Sequence, residues 1–146
     1  MPAPTFSYPH VYTKPDGRSS IKTSTLAGFE EKSMGGNSGS QWNLEWLTEQ
    51  PCTILFSELP ADFDGDWHEN PKPQWILPME GGWWVETQDG KRAEFRVGEL
   101  SFGGDQNTTP DADGNKGHRS GVLDGKPCRM MIVQLLDGEP GQHGPD

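Results

Sequence analysis

The chain has 146 residues and a formal net charge of −10, enough length for one domain with a single core. An acidic chain repels phosphate backbones and anionic lipid, so neither nucleic acid nor a membrane surface is expected as a partner. No segment approaches the about 20 apolar residues of a membrane-spanning helix, and Met1-Pro2-Ala3-Pro4 lacks the basic start and apolar run of a secretory signal. The expected location is therefore cytoplasmic. Cys52 and Cys128, both in apolar strand-like runs, read there as buried free thiols.

Hydrophobic residues make up only 31% of the chain, against 19 glycines and 13 prolines, a turn-rich balance that suits many short strands better than helices. Six Trp and six Phe supply bulky groups to bury. Residues 1–40 read as an N-terminal arm, with one weak helical turn over 26–32 and a flexible Ser/Gly loop over 33–40. The arm is expected to add an edge strand. A barrel is expected over 41–136, followed by a Gly- and Pro-rich tail over 137–146. Strand-like runs within the barrel are 41–47, 51–59, 74–79, 83–87, 92–97, 100–102, 118–123 and 128–136. Gln88-Asp89-Gly90-Lys91 carries the Asp-Gly signal of a type I′ hairpin, and Asp124-Gly125-Lys126 marks a second turn. Short antiparallel strands with regular turns predict an all-β jelly roll or small barrel.

The chemistry-bearing stretch is Trp67 to Gly81, read with Gly117-His118. His68, Asn70 and Gln74 share parity and point to one side if the segment is extended. Gln74 opens an apolar strand that ends at Gly81-Gly82, and His118 follows a later strand and turn. His10 and His143, in Pro/Gly-rich ends, are assigned no role. Trp75 faces away from Gln74, toward an outer layer or a dimer interface. Trp83 or Trp84 must share the histidine face and would offer a flat apolar wall to a ligand. Met130 and Ile132 share a face with Cys128 and Gln134 and would line the cavity.

This spacing resembles the cupin superfamily. His68 falls at the first histidine of its first motif, Asn70 at the second histidine, Gln74 at the glutamate and Gly81 at the glycine. Val97 to Phe102 followed by Gly117-His118 resembles the second motif. The resemblance is closer to a group of small single-domain cupins, and it extends to Val11-Tyr12 and Asp16-Gly17-Arg18-Ser19. It implies a double-stranded β-helix (jelly-roll) barrel, a homodimer, and a small-molecule ligand. It also implies a divalent metal (Zn, Fe, Mn or Ni) at His68, Gln74, His118 and Asn70, with His68 and His118 as catalytic groups. Two of those four positions are amides, which weakens the hold on a dication. A small-molecule enzyme of isomerase, lyase or dioxygenase type is the leading expectation, and a non-catalytic ligand-binding barrel is the alternative.

Overall fold

The structure, a computed structural model, describes residues 2–135. They form strands and no helix: β1 (Phe6–Thr13), β2 (Ser19–Leu26), β3 (Glu30–Ser33), β4 (Ser40–Asn43), β5 (Cys52–Leu59), β6 (Asp64–His68), β7 (Gln74–Glu80), β8 (Trp83–Thr87), β9 (Arg92–Phe95), β10 (Ser101–Gly104), β11 (His118–Val122) and β12 (Cys128–Leu135). Leu136, the 137–146 tail and His143 lie outside the described residues. No helix among the described residues is long and apolar enough to cross a membrane.

Two main sheets carry the fold. One has six strands in the order β2-β1-β10-β7-β12-β5, and the other has four in the order β6-β11-β8-β9. Alternation along the strands gives each sheet an apolar inner face. On that face Val11, Ile76, Cys128, Met130 and Ile132 from the larger sheet meet Trp83, Val85 and Phe95 from the smaller one in a single buried cluster. Burial of such side chains stabilises by roughly 1.5–3 kcal/mol each. β7 and β12 are apolar on both faces because the outer face is covered too. There Tyr8, Phe102 and Leu135 pack with Trp46, Trp75, Leu26 and Leu100.

The N-terminal region supplies the expected edge strand, β2, and a second strand, β1, inside it. β1 and β2 are full strands of the larger sheet, with Tyr8, His10 and Val11 buried, and β1 runs parallel to β10. The 26–32 segment is not helical; it ends β2 and starts β3, whose hairpin with β4 holds the Ser/Gly loop at its tip. The strand expected over 41–47 stops at Asn43, and Trp46 folds back onto Trp75 with ring centroids 5.1 Å apart. Cys128 is buried, but Cys52 is exposed at the start of edge strand β5; both are free.

The two Asp-Gly turns exchange roles. At 88–90 only Gly90 has positive φ, and Thr87 N–H bonds the Lys91 carbonyl while Gly90 N–H bonds that of Thr87. That is a turn closed by a left-handed glycine rather than type I′. At the other turn Asp124 and Gly125 have φ of 58° and 61°, the pair of positive angles that type I′ requires.

Candidate functional site

The inner space between the sheets is apolar at one end and polar at the other. The polar end is built where one row of the larger sheet, Gly103, Gln74 and Gln134, faces the start of β11. Gly103 makes the row possible. A Cβ there would collide with the Asn70 side chain, which lies across the glycine.

His118 opens β11 and is buried. Its cross-strand partners are Thr87 on β8 and His68 on β6. The two histidine rings lie with centroids 4.6 Å apart at 55°. A β-bulge brings His68 to that face. β11 advances from His118 to Ser120 while β6 advances from His68 to Gly65, so Asp66 and Trp67 together face Arg119. Without the extra residue, alternation would send His68 to the opposite side; bulges re-aim side chains in this way. The His68 ring then closes the bulge, with Nδ1 2.6 Å from the Asp66 carbonyl. Because β6 is an edge strand, His68 stays exposed while His118 is covered.

The decisive partner of His118 is Asp105, which ends the β10 run and is fully buried. Its Oδ2 lies 2.6 Å from His118 Nδ1. Its Oδ1 accepts the Asn70 backbone N–H at 3.0 Å and Asn70 Nδ2 at 2.8 Å. Burial alone would push the Asp105 carboxyl upward. The hydrogen bond and charge of His118, with the two Asn70 donors, outweigh it and hold the group below the usual carboxylate range.

Asp105 was not among the residues expected at the site. The signal available was a carboxylate directly after the Gly103-Gly104 pair that ends a strand. Nothing local tells that this strand end faces His118.

The amides serve Asp105 rather than an ion. Asn70 Oδ1 accepts from Gln74 Nε2 at 2.7 Å, and Gln74 Oε1 accepts from Gln134 Nε2 at 2.9 Å. Both oxygens assigned to a metal are thus engaged inside the protein. No group of three His, Cys, Asp or Glu side chains suited to a metal ion occurs among the described residues. What remains is a pair of imidazole nitrogens without a third ligand or any free anionic oxygen, a set that does not fit a firmly held dication.

The loop between β10 and β11 fixes Asp105 and His118 from behind. Thr108 donates to Glu69 Oε2 through its backbone N–H at 2.7 Å and its hydroxyl at 2.5 Å, and the same hydroxyl accepts Gly117 N–H at 2.9 Å. Gln88 Nε2 reaches the carbonyls of Thr109 and Asn115 at 2.9 and 2.8 Å. Gly117, at φ 72°, abuts the His68 backbone, so a side chain there would part the two histidine strands.

The expected ligand wall is elsewhere. Trp83 shares the inner face with His118 but pairs with Val122, four residues along β11 and so roughly 13 Å away. It stacks on Phe95 at 4.9 Å within the core cluster, to which Met130 and Ile132 also belong. Trp84 lies on the outer face, under Arg92 at 4.3 Å and over Gly121. It cannot line the His118 side.

No family model matches the chain, and no curated protein matches it. Among solved structures it is similar to protein NMB1881 from Neisseria meningitidis, at 16% identity and a TM-score of 0.41, over 74% of this chain and 82% of that one. A likeness of that degree carries no argument about the site.

Proposed function

We propose that this chain is a small-molecule enzyme of the cupin type, built on a double-stranded β-helix (jelly-roll), that works by acid–base chemistry at His118 and His68. The single observation that carries this reading is the commitment of both Nδ1 atoms. Asp105 carboxylate and the Asp66 carbonyl only accept hydrogen bonds, so each ring donates from Nδ1, and a neutral ring held this way has its lone pair on Nε2. Two such lone pairs on rings 4.6 Å apart form a base and its partner. His118 takes a proton from a substrate carbon, and buried Asp105 shares the charge gained, as the acid of a catalytic triad does. His68, exposed, takes a proton from water at Nε2 and delivers it to the carbanion, while His118 gives the proton it took to solvent. Isomerisation by removal and return of one proton balances on this pair. Because the donor set does not suit a firmly held Zn, Fe, Mn or Ni ion, no step is routed through a metal.

A non-catalytic binding barrel is the second reading, favoured by the amides at positions 70 and 74. The test is deuterium exchange, followed by NMR, on a set of small hydroxy acids and sugars incubated with the protein in D₂O. Exchange at an acidic C–H, lost in His118→Ala, supports the enzyme. Binding without exchange selects the second reading, and no binding at all rejects both.

A homodimer belongs to the same proposal. Strand β5 is an edge strand, and its outer face exposes Ile54 (59%) and Phe56 (70%). That face continues into an apolar groove of about 270 Å³ lined by Leu77, Met131, Val133 and Trp75. Beyond it Arg129 sits between Glu58 and Glu80 at 2.8 and 3.2 Å, a polar rim beside the apolar face. The free thiols accord with a cytoplasmic setting.

A further inference from the structure

We infer that Gln134, Gln74 and Asn70 are positioning residues, a one-way hydrogen-bond relay that fixes the tautomer and aim of His118 through Asp105. The inference rests on the reading of His118 as a reactive group, and it extends the site to the last strand of the opposite sheet.

The direction of the relay is forced from one end. An ionised carboxylate can only accept. Asp105 Oδ1 receives Asn70 Nδ2 at 2.8 Å, so the Asn70 amide must turn its NH₂ toward Asp105 and its oxygen away. That oxygen needs a donor, so Gln74 must present NH₂ to it, at 2.7 Å. Gln74 Oε1 then faces Gln134, which must donate in turn, at 2.9 Å. Each orientation follows from the one before. None of the three amides can flip without setting oxygen against oxygen. Such chains polarise one another and are costly when broken in a buried site.

Burial grades along the relay. Asp105, Asn70 and Gln74 are at 0%, 6% and 7% exposure, while Gln134 is half-buried. The inner links cannot find water instead; the outermost can. A missing donor at 74 leaves Asn70 Oδ1 buried without a partner. The Asn70 side chain then shifts to find one, and its Nδ2 loosens the hold on Oδ1 that helps aim Oδ2 at His118 Nδ1.

The experiment reads the ring itself. Long-range ¹H–¹⁵N NMR on the full chain, above the range where imidazole is protonated, reports which ring nitrogen carries the proton. Wild-type His118 is expected in one form, with Nδ1 protonated. Gln74→Met keeps the volume and removes both amide roles. It should give a mixture, seen as the two His118 nitrogen shifts moving toward each other. Gln134→Met should give the same change in smaller degree, and it remains informative if the inner variant does not fold. His68 is the internal control, because its Nδ1 partner is the Asp66 carbonyl; its signals should stay put. Unchanged His118 shifts in Gln134→Met, and in Gln74→Met where it folds, overturn the relay whatever the protein catalyses. Shifted His118 signals in a protein that exchanges no substrate proton leave the relay standing and remove the enzyme reading.

Discussion

At the residue scale, Asp105 ties the site to stability. Its folded carboxyl lies below the usual value, so it favours the folded state above the unfolded pKa of about 3.9. That contribution is lost as pH falls through the lowered folded value. Thermal melts of wild type should drop more steeply below about pH 4 than those of Asp105→Asn. At pH 7, Asp105→Ala should cost roughly 3–5 kcal/mol in urea unfolding, because it strips a buried partner from His118 and Asn70; a loss under 1 kcal/mol would mean the pair holds nothing. Gln74→Glu tests the neighbouring position. An ionised Glu cannot donate to Asn70 Oδ1, so the variant should take up a proton and become a neutral donor. Its folded pKa is then raised, and its stability deficit should grow as pH rises from about 4.3 toward neutrality. Calorimetry should find divalent binding unchanged, and tighter binding would return Gln74 to the ligand set. Cys52, exposed, should react with a thiol dye in the native state. Cys128, buried and with its thiol pushed up by desolvation, should wait for unfolding.

At the element scale, a methyl group can decide whether the site assembles. Gly103→Ala adds one where Asn70 lies, on a strand residue with ordinary backbone angles, so its effect is steric alone. Overpacking of this kind costs roughly 1–3 kcal/mol, to be read by urea unfolding together with the His118 ring signals. A variant as stable as wild type, with His118 undisturbed, would show that Asn70 does not need the bare glycine. The same scale explains what was legible in the sequence. Period-two alternation and Gly/Asp turns are local, so β5, β7, β8 and β12 stand within a residue or two of expectation. Parity also sent Trp75 to the outer face and Gln74 inward. The β6 bulge was illegible because an extra residue leaves no mark until two strands are aligned. Asp105 was illegible for a related reason: its role comes from the packing of the end of β10 against β11 across the two sheets, not from neighbours in sequence. Trp83 and Trp84 were separable by parity only once it was known which of them faced His118.

At the scale of the whole molecule, the exposed outer face of β5 predicts association. Phe56→Glu places a charge at the centre of that face and should convert a two-chain mass to a one-chain mass in light scattering; a wild type already at one chain at micromolar concentration removes the dimer. The parallel pairing of β1 with β10 has a consequence for how the chain reaches its native state. His10 meets Phe102, residues separated by most of the sequence. Such distant contacts must be closed before they reward the entropy they cost, which slows folding to the range of milliseconds to seconds. During synthesis the β1–β2 hairpin leaves the ribosome long before the strand it docks on, with Tyr8 and Val11 unburied in the meantime. β1 and β2, made before the strand they dock on, are thus among the last to be seated, and a pause in translation between β2 and β10 should expose this chain to aggregation through them.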